Sequence, residues 1–585
     1  MSRRSWLIFA LGLLTILLHL LPLLGRTGLF GVDALAYLPL PFSLAWCGFA
    51  VILLFPPLAE HFLLKDPPAL PTTPLQRPWH KTIPGQIAFS VLMVLLALAC
   101  LPLSEIISVA TPLLGDGLDR IEALPDGWKS LAGQPAPLDL SIHVLLFQYL
   151  GYHWGKTAFW AAWSTYRFLS FAAGFLALCA WKALARRWGQ TRWERALLFA
   201  GWLGMGSSLL FLGYPENYSI LAAMLFVHLW LLEQTLEAKR SPLWPLLSLL
   251  ALIGLHFFCL LLLPPTFYVL FRSGRWRPSR TTSALLLAVG AAFLVFLFLT
   301  VERRFRGTAI FLPPGQIFSL SRLLEFFNEQ LLVCPALLLL LPWAFASGRR
   351  SPIGDYLAGA SLLWVPFFYV LRPVIGAGPD WDLFALPALV YTPWLFLRAR
   401  ATIFSGTRSH YLAWAILVVS LFHTIPWVVV NAGQESAVAR YHGLMTDLEG
   451  KNPWAAGYGW LKLGKYRQRL GQTDQALAAY DRSLAANPGY SVLYREIGEK
   501  MLELGRLDLA VQRFQGFLQH NPTSPEAKPA LAQARKLYAL DLEGRGRFPE
   551  AAAQDEAILQ LYPDNREAQA ALARVREKMA AGAGR

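Results

Sequence analysis

The sequence predicts an all-α protein in which a polytopic membrane helical bundle precedes a soluble α-solenoid of helical hairpins. Three observations support this fold class. Of the 585 residues, 55% are hydrophobic and only 15% are charged, against roughly 25% charged residues in an average soluble domain. Apolar runs of about 18 to 20 residues, long enough to cross a hydrocarbon core of about 30 Å, recur from Trp6 to about Val430. Beyond that point the sequence becomes polar and repetitive, so a soluble enzyme is excluded.

About thirteen apolar runs are predicted to span the membrane. They cover residues 6–24, 42–59, 85–103, 163–183, 195–213, 218–237, 242–255, 257–271, 283–301, 331–347, 355–371, 382–397 and 411–430. The first run lacks the small-residue cleavage site of a signal peptide and is interpreted as an uncleaved span. The tight break near His256 leaves open whether residues 242–271 make two spans or one re-entrant hairpin.

The basic residues predict how the chain is oriented. The formal net charge is +15, but the positive residues lie in short tracts between apolar runs, as polytopic proteins place them on the cytoplasmic side. This distribution argues against nucleic acid as a partner. With Arg3 and Arg4 inside and an odd number of spans, everything after about Asn431 lies on the outer face.

Four regions are predicted from these patterns. They are residues 1–84, an N-terminal transmembrane hairpin with a cytoplasmic loop; 85–430, a transmembrane core with a long outer loop at 104–163; 431–454, a linker; and 455–580, a helical-repeat domain.

The C-terminal region repeats with a period of 34 residues. The corresponding pairs are Gly464 and Gly498, Gly471 and Gly505, Ala476 and Ala510, Tyr480 and Phe514, Leu484 and Leu518, and Pro488 and Pro522. This is the period of tetratricopeptide (TPR) repeats, in which small residues let two helices approach and a proline ends the second helix. A third unit with Gly546 and Pro563 follows after an insertion, so about three repeats are predicted.

Acidic residues are scarce outside the repeats, and three acidic segments fall on the outer face. Asp116 and Asp119 lie in the sequence Gly-Asp-Gly-Leu-Asp-Arg of the long outer loop. Glu216 lies at the outer end of the sixth span, and Asp380 and Asp382 lie at the start of the twelfth. Since ionisable residues near spans are usually functional, we expect these segments to form one acidic site.

Structural roles are open for the same residues. Glu216 and Asp382 each precede or begin a helix, where a carboxylate interacts favourably with the positive end of the helix dipole. Asp116 between two glycines is also an ordinary turn residue. His256 at a tight outer turn is either a packed histidine or a functional one. Arg372 shares an outer loop with Asp380, where its guanidinium could bind a phosphate.

The arrangement in residues 85–430 resembles the GT-C superfamily of polytopic glycosyltransferases, which have an acidic motif in a long first outer loop and further acids in later outer loops. Joined to outward-facing repeats, it is similar to the transmembrane-and-TPR O-mannosyltransferases of animals and to bacterial envelope proteins of the same two-part design. The first loop has no adjacent pair of acids, and Asp116 and Asp119 are three residues apart. Which of the two is the loop acid is therefore open.

The resemblance implies transfer of a sugar from a polyprenyl-phosphate donor to an acceptor on the periplasmic face of a bacterial inner membrane, with inversion. Asp116 would be the base, and Asp119, Glu216 and Asp382 would orient hydroxyls. The metal candidates are Asp116, Asp119 and Asp382, which would hold Mg²⁺ or Mn²⁺ if a cation is used. The predicted substrate-binding residues are Asp380, Arg372, Arg303, Arg306, His256 and Tyr218, with the arginines holding the lipid phosphate.

The expected partners are membrane lipid, the lipid-linked sugar, and an acceptor protein, peptide or glycan bound in the groove of the repeats. Three other functions are weighed. A lipid-linked oligosaccharide ligase or polymerase would depend on a histidine or arginine pair in an outer loop. A non-enzymatic membrane scaffold would use the spans to present the repeats to envelope assembly machinery. A transporter would need ionisable groups in mid-span and paired internal repeats, neither of which is clear.

Overall fold

A computed structural model describes most of the chain. The described residues are 3–25, 28–63, 106–131, 135–150, 157–189, 192–276, 279, 295, 310–346, 351–403 and 410–583. They are predominantly helical, with an isolated antiparallel bridge between Phe311 and Leu371. Two compact units divide the chain, Met1–Leu444 and Met445–Arg585. The all-α part of the predicted fold class is therefore confirmed.

Eighteen helices are numbered here through the first unit and the start of the second. They are α1 Arg3–Leu20, α2 Leu40–Leu54, α3 Pro56–Leu63, α4 Gly117–Ala123, α5 Pro137–Leu150, α6 Ala158–Trp188, α7 Arg192–Leu203, α8 Tyr218–Leu236, α9 Leu243–Leu255, α10 Leu263–Arg272, α11 Pro314–Ile317, α12 Leu320–Val333, α13 Leu337–Ala346, α14 Pro352–Val370, α15 Trp381–Ala385, α16 Ala388–Ile403, α17 His410–Ala432 and α18 Gln434–Glu449. Short 3₁₀ helices form at Pro22–Leu24, Ala34–Tyr37, Leu124–Leu131, Gly206–Phe211 and Phe257–Leu262.

The number of long apolar helices differs from the prediction. Within the described ranges, five helices are long and apolar enough to cross a membrane. They are Arg3–Leu24, Ala158–Trp188, Tyr218–Leu236, Pro352–Val370 and Tyr411–Ala432. The bent pair α12 and α13, which turns by 98°, would make a sixth. The predicted thirteen spans are thus wrong for the described chain, and two of them, 85–103 and 283–301, lie outside it.

The discrepancy has a physical cause, which is that apolar composition does not report backbone breaks. The predicted span 195–213 contains the end of α7 at Leu203 and a separate 3₁₀ turn at Gly206–Phe211. The 242–271 region contains the shorter helices Leu243–Leu255 and Phe257–Arg272, with His256 at the break. Each piece falls short of the roughly 20 residues that a crossing helix requires.

Helix α17 satisfies the broken ends of its neighbours. The Thr424 hydroxyl donates to the Gly204 carbonyl, and the Trp427 indole donates to the Gly206 carbonyl at 3.2 Å. The backbone carbonyl of Asn431 accepts from the Ala110 amide at 2.8 Å. Carbonyls at a helix end lack an intrahelical partner, and an unsatisfied one in apolar surroundings costs several kcal/mol. Thr424 of α17 therefore supplies a donor where α7 ends, and Trp427 donates to the first residue of the 3₁₀ turn that follows.

A buried ion pair fixes the N-terminal segment to α18. Arg440 is 1% exposed and its Nε donates to Asp33 Oδ1 at 2.8 Å. Its Nη2 also donates to the Phe30 carbonyl at 2.9 Å, and its guanidinium lies 4.6 Å from the centre of the Trp427 ring. Because every side of the guanidinium is engaged, a charge this deep is tolerated.

The second unit consists of packed helical hairpins. Its helices are α19 Pro453–Arg469, α20 Thr473–Ala486, α21 Ser491–Glu503, α22 Leu507–His520, α23 Ala527–Gly544, α24 Phe548–Leu561 and α25 Arg566–Ala583. A Cβ at Gly464 would lie 2.3 Å from the Tyr480 ring, and one at Gly498 would lie 3.0 Å from the Phe514 ring. The 34-residue repeat thus places a glycine against an aromatic ring in both hairpins.

We expect Gly464→Ala to destabilise the repeats by about 1–3 kcal/mol, because the added methyl group overpacks the contact with Tyr480. Gly489→Ala is the matched control, since no atom lies within 4 Å of its Cβ position. Thermal unfolding of the purified full chain, followed by circular dichroism, should show a lower Tm for the first variant alone. Equal melting curves for the two variants would contradict the proposed packing.

Candidate acidic site

The Gly115–Asp116 turn brings the three acidic segments together. The Gly115 amide donates to the Pro379 carbonyl at 2.7 Å, which joins the long loop to the segment before Asp382. Gly115 has φ +58°, and a Cβ there would lie 2.7 Å from Glu216 Oε1 and 2.8 Å from Asp382 Oδ2. A side chain at this position would be strained and would collide with both carboxylates. The glycine is therefore what lets the segments meet.

Glu216 holds the Gly115–Asp116 turn through hydrogen bonds to its carboxylate. It is 3% exposed, and its carboxylate accepts hydrogen bonds from the Asp116 amide, from Arg120 Nε at 2.8 Å and from the Asn217 amide at 3.2 Å. Burial raises the pKa of Glu216 to about 7, although the Arg120 guanidinium acts in the opposite direction. With both oxygens engaged, Glu216 holds the backbone and Arg120 in position.

Asp116 is the accessible acid of the group. Its side chain is 53% exposed, and its nearest cation is Arg120, with Nη2 at 3.9 Å from Oδ2. Its backbone amide is held by Glu216 while its carboxylate stays open. A solvent-exposed carboxylate on a backbone that is held in place could act as a base or bind a hydroxyl group.

Asp382 is buried without a hydrogen-bond partner. It is 1% exposed, and within the described part of the chain neither carboxylate oxygen is bonded to another residue. Burial raises the pKa of Asp382 well above its ordinary value, and the nearby charges of Glu216, Asp380 and Asp116 raise it further. An isolated buried carboxylate is very unfavourable, so we infer that Asp382 is a neutral carboxylic acid at neutral pH.

Aromatic residues that the sequence did not single out surround this acid. The Trp381 indole donates to the Tyr214 hydroxyl at 3.0 Å, and the Trp381 ring packs edge-on against Trp427 of α17. Asp380 precedes them and is half-buried. Tyr214 belongs to the sequence Tyr-Pro-Glu and Trp381 to the sequence Asp-Trp-Asp. Nothing in the sequence indicates that these two segments meet.

The other predicted residues lie around the site in different environments. Tyr218 is 8% exposed at the start of α8, within electrostatic reach of Glu216 and Asp382. His256 is buried, accepts from the Phe258 amide at 3.3 Å and packs between aromatic rings, and burial and Arg120 lower its pKa to about 3. These contacts favour a packed, neutral histidine.

Asp119 and Arg372 have other surroundings among the described residues. Asp119 is half-buried and acts, together with burial, to raise the pKa of Tyr441 on α18. Arg372 is exposed, and its amide donates to the Ile310 carbonyl at 2.9 Å beside the bridge of Phe311. Arg303 and Arg306 lie outside the described residues.

The predicted cation site finds no geometric support. Within the described ranges, no group of three or more His, Cys, Asp or Glu side chains is arranged to hold a metal ion. The three candidate ligands also differ in setting, since Asp116 is exposed, Asp382 is buried and Asp119 lies near Tyr441.

A second polar group beside the site was missed by the sequence analysis. On α5, His143 Nδ1 lies 3.2 Å from Asp139 Oδ2 and both residues are 1% exposed. The imidazole stacks on Tyr166 with ring centres 4.1 Å apart, and Tyr166 is within electrostatic reach of Arg120 and Glu216. The four-residue spacing of Asp139 and His143, which places both on one helix face, was the available signal.

The neutral state of Asp382 can be tested by pH. A carboxyl whose pKa is raised in the native state stabilises the fold at low pH, and this contribution is lost as the pH rises from the ordinary value of 3.8 toward the native value. Asp382→Asn stays neutral at every pH. We therefore expect the Tm of the unsubstituted protein to fall relative to that of the variant as the pH rises above the ordinary carboxyl pKa of 3.8.

Asp126→Asn, which changes an exposed acid of the long loop that carries Asp116, is the control and should leave the pH dependence unchanged. Parallel Tm profiles for the unsubstituted protein and Asp382→Asn would show that Asp382 is not held neutral.

Comparison with known proteins identifies the repeats. Residues 469–534 match the family model described as Tetratricopeptide repeat. The chain is also 29% identical over 110 residues to Superkiller complex protein 3 of Mus musculus. The aligned segment is 19% of this chain and 7% of that protein. The chain thus spans a small part of the length of this curated relative. Neither of these matches covers the helical bundle, for which the resemblance to GT-C enzymes was noted. The C-terminal region contains tetratricopeptide repeats, and such repeats suggest interaction with proteins in general.

Proposed function

We propose that the protein is a membrane glycosyltransferase that moves a sugar from a polyprenyl-phosphate donor to an acceptor at the periplasmic face of a bacterial inner membrane. The observation that carries this proposal is the meeting of three acidic segments at Gly115, where an added Cβ would lie within 3 Å of oxygens of both Glu216 and Asp382. Long apolar helices in the same unit would place such a site near a lipid-borne substrate. The proposal includes the membrane location and the orientation predicted from the basic loops.

Asp116 is assigned the role of base because it is the exposed carboxylate of the group. It accepts the proton of the acceptor hydroxyl as the oxygen attacks the anomeric carbon of the sugar. The bond between that carbon and the phosphate oxygen breaks, and the lipid phosphate leaves with the bonding electrons. Attack opposite the leaving group inverts the anomeric configuration. A positioned general base typically contributes about 10²–10⁴-fold to the rate.

The remaining acids are assigned positioning roles. Glu216 fixes the Asp116 amide and Arg120, so the base and a guanidinium are held on one rigid turn. Asp382, as a neutral acid, would donate a hydrogen bond rather than hold a cation. A phosphate leaving group is stabilised by positive charge, and the exposed Arg372 is a guanidinium available on the same unit.

The repeat domain is assigned to the acceptor. A groove of about 320 Å³ is lined by α23, α24 and α25, and it presents charges of both signs. Its charged residues are Lys536, Glu543, Asp555, Glu567 and Arg574. Lys536 is paired with Glu567 and Arg574 with Glu543. The acceptor protein or peptide is assigned to this groove because solenoid repeats bind extended partners.

A non-enzymatic scaffold is the second function to be tested, because the family match covers the repeats. In that case the bundle would anchor the repeats beside envelope assembly machinery. The acidic site favours the enzyme, since an anchor has no use for an unpartnered carboxyl that is 1% exposed. The ligase or polymerase alternative is disfavoured by His256, which is packed among aromatic rings.

The test compares Asp116→Asn with Asp126→Asn in the purified full chain reconstituted in lipid nanodiscs. Polyprenyl-phosphate-linked sugars are supplied with envelope protein as acceptor, and release of polyprenyl phosphate is measured. We expect release by the unsubstituted protein and by Asp126→Asn, with a loss of about 10²–10⁴-fold in Asp116→Asn. Absence of release by the unsubstituted protein, with binding to envelope protein retained, would support the scaffold instead.

A further inference from the structure

Two buried histidines face each other between α1 and α17. His19 Nε2 lies 2.8 Å from His423 Nδ1, and the residues are 2% and 1% exposed. Each outer nitrogen contacts a backbone carbonyl. His19 Nδ1 lies 2.8 Å from the Thr15 oxygen, and His423 Nε2 lies 2.9 Å from the Leu332 oxygen. The two rings thus form a continuous chain of three hydrogen bonds between two carbonyls.

Counting protons along this chain fixes the charge of the pair. A carbonyl oxygen only accepts, so each outer nitrogen must carry a proton. If both rings were neutral, the two inner nitrogens would then face each other as bare lone pairs at hydrogen-bond distance, which is repulsive. A third proton between the inner nitrogens satisfies all three contacts. Two imidazoles with three protons carry one positive charge.

The pair lies where a positive charge is useful. Leu332 belongs to the last turn of α12, and α12 and α13 bend by 98° immediately after it. The carbonyls at that end have no partner within the helix, and the C-terminal end of a helix attracts a cation. A protonated His423 therefore satisfies the Leu332 carbonyl better than a neutral ring does.

The charged groups around the pair do not already neutralise this end of α12. Arg440 of α18 acts on His423, but its own charge is paired with Asp33 at 2.8 Å. On α12 itself, Glu329 lies one turn before Leu332 and has no hydrogen bond to a described residue. Helices α2 and α7 also pack against α17. On these helices Cys47 is buried, and Glu194 is paired with Arg400 at 3.4 Å.

We propose that His19 and His423 form a proton-binding site, in which one proton is shared between the rings and the resulting cationic pair joins α1 and α17 to the broken end of α12. This inference is independent of the transferase proposal. It predicts that the connection at the α12 bend is lost when the shared proton is removed at high pH.

The experiment is nuclear magnetic resonance of the full chain in lipid bilayers with ¹⁵N-labelled histidine. We expect one through-hydrogen-bond nitrogen–nitrogen coupling between two imidazoles, with the resonances of a protonated pair at neutral pH. The signal should be absent in both His19→Gln and His423→Gln. It should persist in His228→Gln, the matched control, which changes another buried histidine bonded to Ser248.

If either variant fails to fold, the spectra of the unsubstituted protein at neutral and at high pH are sufficient to test the proposal. An observed coupling between two imidazoles that disappears on raising the pH supports it. Two neutral rings at neutral pH, or the absence of any imidazole–imidazole coupling, would overturn it, since the three contacts could not then be satisfied together.

Discussion

The first unit depends on one constraint, which is that every interrupted helix in apolar surroundings needs an external donor for its terminal carbonyls. Helix α17 supplies those donors from one side. His423, Thr424 and Trp427 reach the carbonyls of Leu332, Gly204 and Gly206 in turn. Leu332 and Gly204 lie at the C-terminal ends of α12 and α7, where an unsatisfied carbonyl costs several kcal/mol in such surroundings. The breaks after these two residues therefore depend on His423 and Thr424.

These breaks create the site. The 3₁₀ turn at Gly206–Phe211 ends one helix early and leads into the Tyr214–Asn217 segment that carries Glu216. Trp381, next to Asp382, packs against Trp427 and bonds to Tyr214. The acids are thus presented by short irregular segments that α17 holds in place, rather than by the ends of straight helices. Gly115 then closes the arrangement, since only a residue without a side chain can approach both carboxylates.

The sequence predicted the parts of this arrangement that follow from composition and period. The 34-residue spacing predicted TPR repeats, which the match at residues 469–534 confirms. The grouping of acids on one face anticipated that the structure brings Asp116, Glu216 and Asp382 together. The count of spans was wrong because hydropathy averages over a window, so the break between Leu203 and Gly206 leaves no trace in it. Long-range pairs such as Trp381 with Tyr214, or His19 with His423, have no local signal at all.

Some buried ionisable side chains of the first unit are paired with a group of opposite charge, whereas others are not. The paired groups are assigned structural roles, and the site chemistry is assigned to the others. Arg440 with Asp33 and Arg120 with Glu216 are pairs of a guanidinium and a carboxyl group, each joined at 2.8 Å. Removing one partner of either pair would leave the other charge uncompensated, so both pairs stabilise the fold. Within the described residues the Asp382 carboxyl has no such partner, and burial raises its pKa well above the ordinary value. Asp116 differs from both, because its side chain is 53% exposed while its backbone amide is held by Glu216. This difference is why the proposed transfer assigns the proton acceptor to the exposed Asp116 and positioning roles to the buried acids.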